Sequence, residues 1–145
     1  QHHQPRCEYH HQPEVRAARK AALAFLFCSA AAPAAWAQAG AACRAGGTVD
    51  ETNACAVRDY QQADADLQVL YGDVMRALSA HERPDLRQDQ SAWQRNRVAQ
   101  CKTAQRAAEG RPEWPRLYHE CLTAATRGRR AGLMYWLQHG APPPG

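Results

Sequence analysis

Cysteine and histidine supply most of the reactive chemistry in this 145-residue chain, which carries six of the first and seven of the second. His2, His3, His10 and His11 crowd around Cys7 within residues 1–14, a composition that suits metal binding. Nothing downstream supplies a further ligand pair or a scaffold to organise such a site, so no metal centre is expected. His81, His119 and His139 are scattered, and His119-Glu120 lacks the second histidine of a zinc-protease helix. Asp64 and Asp66 stand two residues apart on a segment of helical pattern, so they point in different directions and make no acid–base pair. No serine or cysteine sits in a nucleophile setting, and no glycine-rich loop could cradle a phosphate. These patterns predict binding rather than catalysis, with no cofactor.

The cysteines acquire meaning once a leader is recognised. Arg16, Arg19 and Lys20 form a basic region, residues 21–32 an apolar run, and Ala35-Trp36-Ala37 a small-x-small cleavage site. The apolar run falls short of the roughly 20 residues that span a bilayer. Cys28 follows the bulky Phe27, where lipid-attachment sites carry a small residue. The expected organisation is a His-rich extension over 1–14 and a secretory signal peptide over 15–37. A helical domain over 38–139 and a disordered tail over 140–145, holding Pro142-Pro143-Pro144, complete it. The expected location is periplasmic or secreted. Past the leader remain Cys43, Cys55, Cys101 and Cys121, an even set that implies disulfides in an exported chain. Three connectivities are open; nearest-neighbour pairing fits best because each bridge closes one short connection, worth about 3 kcal/mol.

The elements that must position these residues are helical. There is no Ile, with only six Val and five Thr, so a sheet is poorly supported. From Thr52, with Asp50 and Glu51 as first-turn acids, Val57, Tyr60, Ala63, Leu67, Leu70, Val74 and Leu78 recur in steps of three or four. Pro84 suits the first turn of a second helix whose Leu86, Gln90, Trp93, Arg97 and Cys101 share one face. Trp114-Pro115 opens a third, which Leu117, Cys121, Leu122, Ala125, Arg129, Leu133 and Leu137 would line and which Gly128 and Gly132 weaken. The expected fold is all-α: a small antiparallel bundle of three main helices stapled by two disulfides.

The order Cys43…Cys55, Tyr60, Asp66-Leu67, Tyr71, then Gln90-x2-Trp93-x3-Arg97-x3-Cys101 and Cys121…Thr126-x2-Arg129-x3-Leu133 resembles the LprI-type lysozyme inhibitor family of small exported bacterial domains. Asn53-Ala54 and Asn96 depart from the usual pattern, which carries Glu-Ile and an aromatic there. The resemblance implies a helical domain whose partner is a protein, a lysozyme. Its inhibition would fill the cleft that carries the two catalytic carboxylates. Two loops have basic tips that suit such a cleft. One is residues 80–84, with His81 and Arg83; the other is residues 109–116, with Arg111, Trp114 and Arg116. The ladder itself reads as packing. Trp93 is an apolar anchor, and Arg97 needs a carboxylate that Asp59, Asp64 or Asp66 could supply.

Charge is divided along the chain. Residues 50–73 hold six acids and Arg58 alone, whereas residues 74–145 hold twelve bases and six acids. That division polarises the surface toward a charged partner. Interspersed acids and export argue against nucleic acid as the partner of Arg127, Arg129 and Arg130. The alternative function is an envelope-associated module that binds another protein or cell-wall component without inhibiting lysozyme.

Overall fold

A computed structural model describes residues 40–145; the His-rich extension and the leader expected over 1–37 lie outside the described residues. Three helices follow one another: α1 (Val49–Ala77), α2 (Arg83–Ala104) and α3 (Trp114–His139). A single 3₁₀ turn, Arg106–Ala108, follows α2, and no strand occurs among the described residues. Disulfides Cys43–Cys55 and Cys101–Cys121 tie the leading loop to α1 and α2 to α3. The all-α fold and nearest-neighbour pairing expected from the sequence are both present.

Local chemistry marks where α1 and α2 start. α1 begins three residues ahead of Thr52, because Thr48 and Glu51 form a reciprocal capping box. Thr52 instead turns its hydroxyl back onto the Thr48 and Val49 carbonyls. Pro84 lies in the first turn of α2, and Ser79 and Glu82 exchange hydrogen bonds across the preceding turn. α3 runs unbroken through Gly128 and Gly132 and ends on left-handed Gly140. A Cβ there would also meet the Glu82 carboxylate, which would have to move aside.

α1 and α3 run in the same direction and approach closely, with buried Ala56, Thr123 and Thr126 keeping side-chain volume low. α2 returns antiparallel to both. The apolar core collects Leu67, Val74 and Leu78 from α1, Leu86 from α2, and Leu133 and Trp136 from α3. One expected inward residue is corrected: Leu137 is 41% exposed, whereas Trp136 is 2% exposed. α1 ends at Ala77, so the last turn of α3 finds its cover on α2 and rotates Trp136, not Leu137, inward. Residues 140–145 carry no helix.

The exchange of roles has a direct consequence for stability. Leu133→Ala should cost about 3 kcal/mol by opening a cavity in the core, and Leu137→Ala about 0.5 kcal/mol or less. Urea unfolding of the two oxidised variants checks both.

Candidate functional site

Two arginines, Arg97 buried and Arg129 partly buried, join the helices. Arg97 on α2 donates from Nη1 to Asp64 Oδ1 on α1 at 2.8 Å and to Thr126 Oγ1 on α3 at 2.9 Å. The Thr126 hydroxyl in turn donates to the Leu122 carbonyl at 2.7 Å. Of the three carboxylates open to Arg97, the structure selects Asp64. Arg129 on α3 donates from Nε to Gln90 Oε1 at 2.9 Å and from Nη2 to Asp89 Oδ2 at 2.6 Å. The Trp136 indole N–H reaches the same Asp89 oxygen at 3.0 Å. Both guanidiniums lie against Trp93, at 4.7 Å and 5.5 Å from its ring centroid, and Arg97 also lies 5.3 Å from Tyr60. Burial raises the Tyr60 phenol above its ordinary value, while the neighbouring Arg97 guanidinium pulls in the opposite direction. Charged groups so placed hold helices in register.

At the end where α2 hands over to α3, residues 109–116 are pinned from α1. Asn53, buried in α1, donates from Nδ2 to the Pro112 carbonyl at 2.9 Å and accepts the Arg116 N–H at 3.1 Å. Glu113 offers α3 no side-chain cap and Pro115 has no N–H, so the Asn53 amide caps α3 from another helix. Trp114 stacks on Tyr118 with centroids 4.8 Å apart and planes within 8°. Its indole nitrogen is buried, so what Trp114 offers a partner is ring surface.

The arginines of this loop are less free than their positions suggest. Arg111 pairs with Glu113, and Arg116 pairs with Glu120 at 3.2 Å. Lys102 and Arg106, both exposed, make no ion pair among the described residues and line a shallow cavity of about 290 Å³ with Glu109 and Trp114. The charge available at this end therefore comes from the last turn of α2 and the 3₁₀ turn that follows it, one step before the loop. Their four-residue spacing at the close of a helix is the signal that would have found them. The other loop lies at the opposite end of the bundle. Arg83 spends its guanidinium on the Met75 and Arg76 carbonyls, at 2.8 Å and 3.5 Å, which leaves His81 as its one uncommitted basic side chain. The two loops cannot enter one cleft together. Among the described residues no cluster of three metal-type ligands forms, and no helix is long and apolar enough to cross a membrane.

The lysozyme inhibitor LprI family matches residues 40–133, which span the leading loop, both disulfides and the whole arginine network. The chain belongs to the LprI lysozyme inhibitor family. It is also similar to an uncharacterized protein of Rhizobium meliloti (strain 1021), 33% identical over 132 residues, with 82% of this chain and 94% of that protein covered. No solved structure matches. In this LprI-family domain, Gln90, Trp93, Arg97, Thr126 and Arg129 build two cross-links that meet at the Trp93 ring, and Leu133 sits fully buried in the adjoining core.

Removing Arg97 strands the buried end of this network. Arg97→Ala should destabilise the domain by about 3 kcal/mol, and Arg97→Lys by about 1–2 kcal/mol, because an ammonium keeps the charge but loses the fork and the ring contact. Denaturant unfolding measures both, and an Arg97→Ala variant as stable as the parent would mean that the network holds nothing together.

Proposed function

We propose that this domain acts outside the cytoplasm as a lysozyme-inhibitor-like binding protein whose α2–α3 end blocks the glycan-cleaving cleft of a lysozyme. Membership of the LprI lysozyme inhibitor family carries the reading. The geometry of that end supports it. A cleft that cleaves glycan does so with two carboxylates, so an inhibitor must present positive charge on a shape that enters. Lys102 and Arg106 supply exposed charge beside the half-buried ring of Trp114. The Asn53 hydrogen bonds and the Cys101–Cys121 disulfide fix the loop before any partner arrives. A preformed loop loses little conformational freedom on binding, and aromatic and arginine anchors concentrate binding energy. The acidic flank of α1 adds steering toward a cationic lysozyme. Two disulfides and the secretory pattern of residues 15–37 support export.

Lysis of peptidoglycan by lysozyme in the presence of increasing amounts of the oxidised protein tests the function, with inhibition expected and none at molar excess removing it. Arg111→Ala with Arg116→Ala should weaken inhibition, and Lys102→Ala with Arg106→Ala should weaken it about tenfold, because only the second pair is free of internal glutamates. Melting temperatures should stay within a few degrees of the parent, since none of the four side chains is buried. Unchanged inhibition in both double variants would move the contact to another face.

A further inference from the structure

The face of the α1–α3 pair turned away from α2 carries an open groove. Two cavities of about 280 Å³ and 460 Å³ share Asp59 and Arg127 in their walls, so they form one continuous trough. Small residues, Ala56, Ala63 and Thr123, contribute to its lining. One wall, from α1, carries Asp59 and Asp66; the other, from α3, carries Arg127 and Arg130, with Arg116 and Glu120, paired with each other, toward one end. Among the described residues neither Arg127 nor Arg130 makes an ion pair, and Asp59 pairs only with its exposed neighbour Arg58. Val69, one turn beyond Asp66 on the acidic flank, is 66% exposed, the largest value among the exposed large apolar side chains of the described residues. The trough is therefore electrically divided along its length, with apolar surface left in water beside it.

That division selects the partner. A polyanion drawn to Arg127 and Arg130 meets Asp59 and Asp66 across one helix spacing, about 8–10 Å, which is within a Debye length at moderate salt. A polycation meets the converse. The partner that fits carries the same two walls in reverse order, and a second copy of this chain does so by symmetry. A two-fold axis parallel to the helices sets α1 of each copy over α3 of the other, acid against base on both sides of the axis. A two-fold axis across the helices would set α1 on α1 and α3 on α3, like against like. The helices of 29 and 26 residues offer a face about 40 Å long and 20 Å wide, close to the 800 Å² per partner of a standard interface. We propose that this groove is the interface of a symmetric homodimer, closed by Asp59 and Asp66 of one copy against Arg127 and Arg130 of the other and covering both Val69 side chains. Lys102, Arg106, Arg111 and Trp114 line neither cavity, whereas Arg116 borders the trough at one end, and the dimer does not rest on the lysozyme reading.

Sedimentation equilibrium of the oxidised full chain, from micromolar to millimolar concentration, tests the interface without any lysozyme present. The expected result is a mass that rises to twice the monomer's, with association weakened about tenfold when ionic strength is raised from about 0.05 M to about 0.5 M. Arg127→Glu with Arg130→Glu makes both walls acidic, and Asp59→Arg with Asp66→Arg makes both basic; each double variant alone should stay monomeric. Mixed together, the two should form a heterodimer, because every wall again meets its opposite. Helical circular dichroism of each variant checks that folding is unchanged. A parent that remains monomeric to millimolar concentration, charge-reversed variants that dimerise as the parent does, or a mixture that fails to associate would overturn the proposal.

Discussion

A guanidinium buried between three helices is costly unless its charge and its donors find partners there, and Arg97 is such a group. Asp64 from α1 and Thr126 from α3 answer it, and Trp93 on its own helix covers its plane. Arg129 repeats the device in the opposite sense, reaching from α3 to Asp89 and Gln90 on α2. The two cross-links explain an asymmetry in the bundle. α1 and α3 meet through Ala and Thr and lie close, whereas α2 is held through long polar side chains and Trp93, with Leu86 and Trp136 sealing one end. Register is fixed by hydrogen-bond geometry as well as by apolar burial.

That register sets what the two ends of the domain can do. At one end Arg83, Ser79 and Glu82 are absorbed in closing α1 and starting α2, and Gly140 packs against Glu82. At the other, Asn53 caps α3 from across the bundle, and a disulfide lies behind the loop. Internal glutamates quiet Arg111 and Arg116, so the free charge moves to Lys102 and Arg106. The end that is both rigid and cationic is the one suited to a carboxylate-bearing cleft.

Much of this was legible in residue spacing. The apolar stripes, Pro84, Pro115 and the cysteine spacing located three helices and their staples, because helix period and proline geometry are local properties. The need of Arg97 for a carboxylate on α1 was legible too, though choosing Asp64 over Asp59 and Asp66 required the rotation of α1 about its own axis. Asp89 and Trp136 escaped notice together. Asp89 lies beside the ladder rather than on it, and Trp136 competes with the neighbouring Leu137 for a position that only the end of α1 decides. Asn53 looked like a departure from a family pattern, while its two partners lie 59 and 63 residues away, beyond the reach of any local signal. Pairing of Arg111 and Arg116 with nearby glutamates was within reach, since Arg116 and Glu120 stand one turn apart.

The functional proposal turns on a rigid α2–α3 end that meets lysozyme. Amide hydrogen exchange of the oxidised protein, free and with lysozyme in excess, locates the contact without assuming it. Slowed exchange should concentrate in residues 102–116 of the complex, with the 79–84 turn unchanged. Protection at the 79–84 end instead, or no protection anywhere, would contradict the proposal.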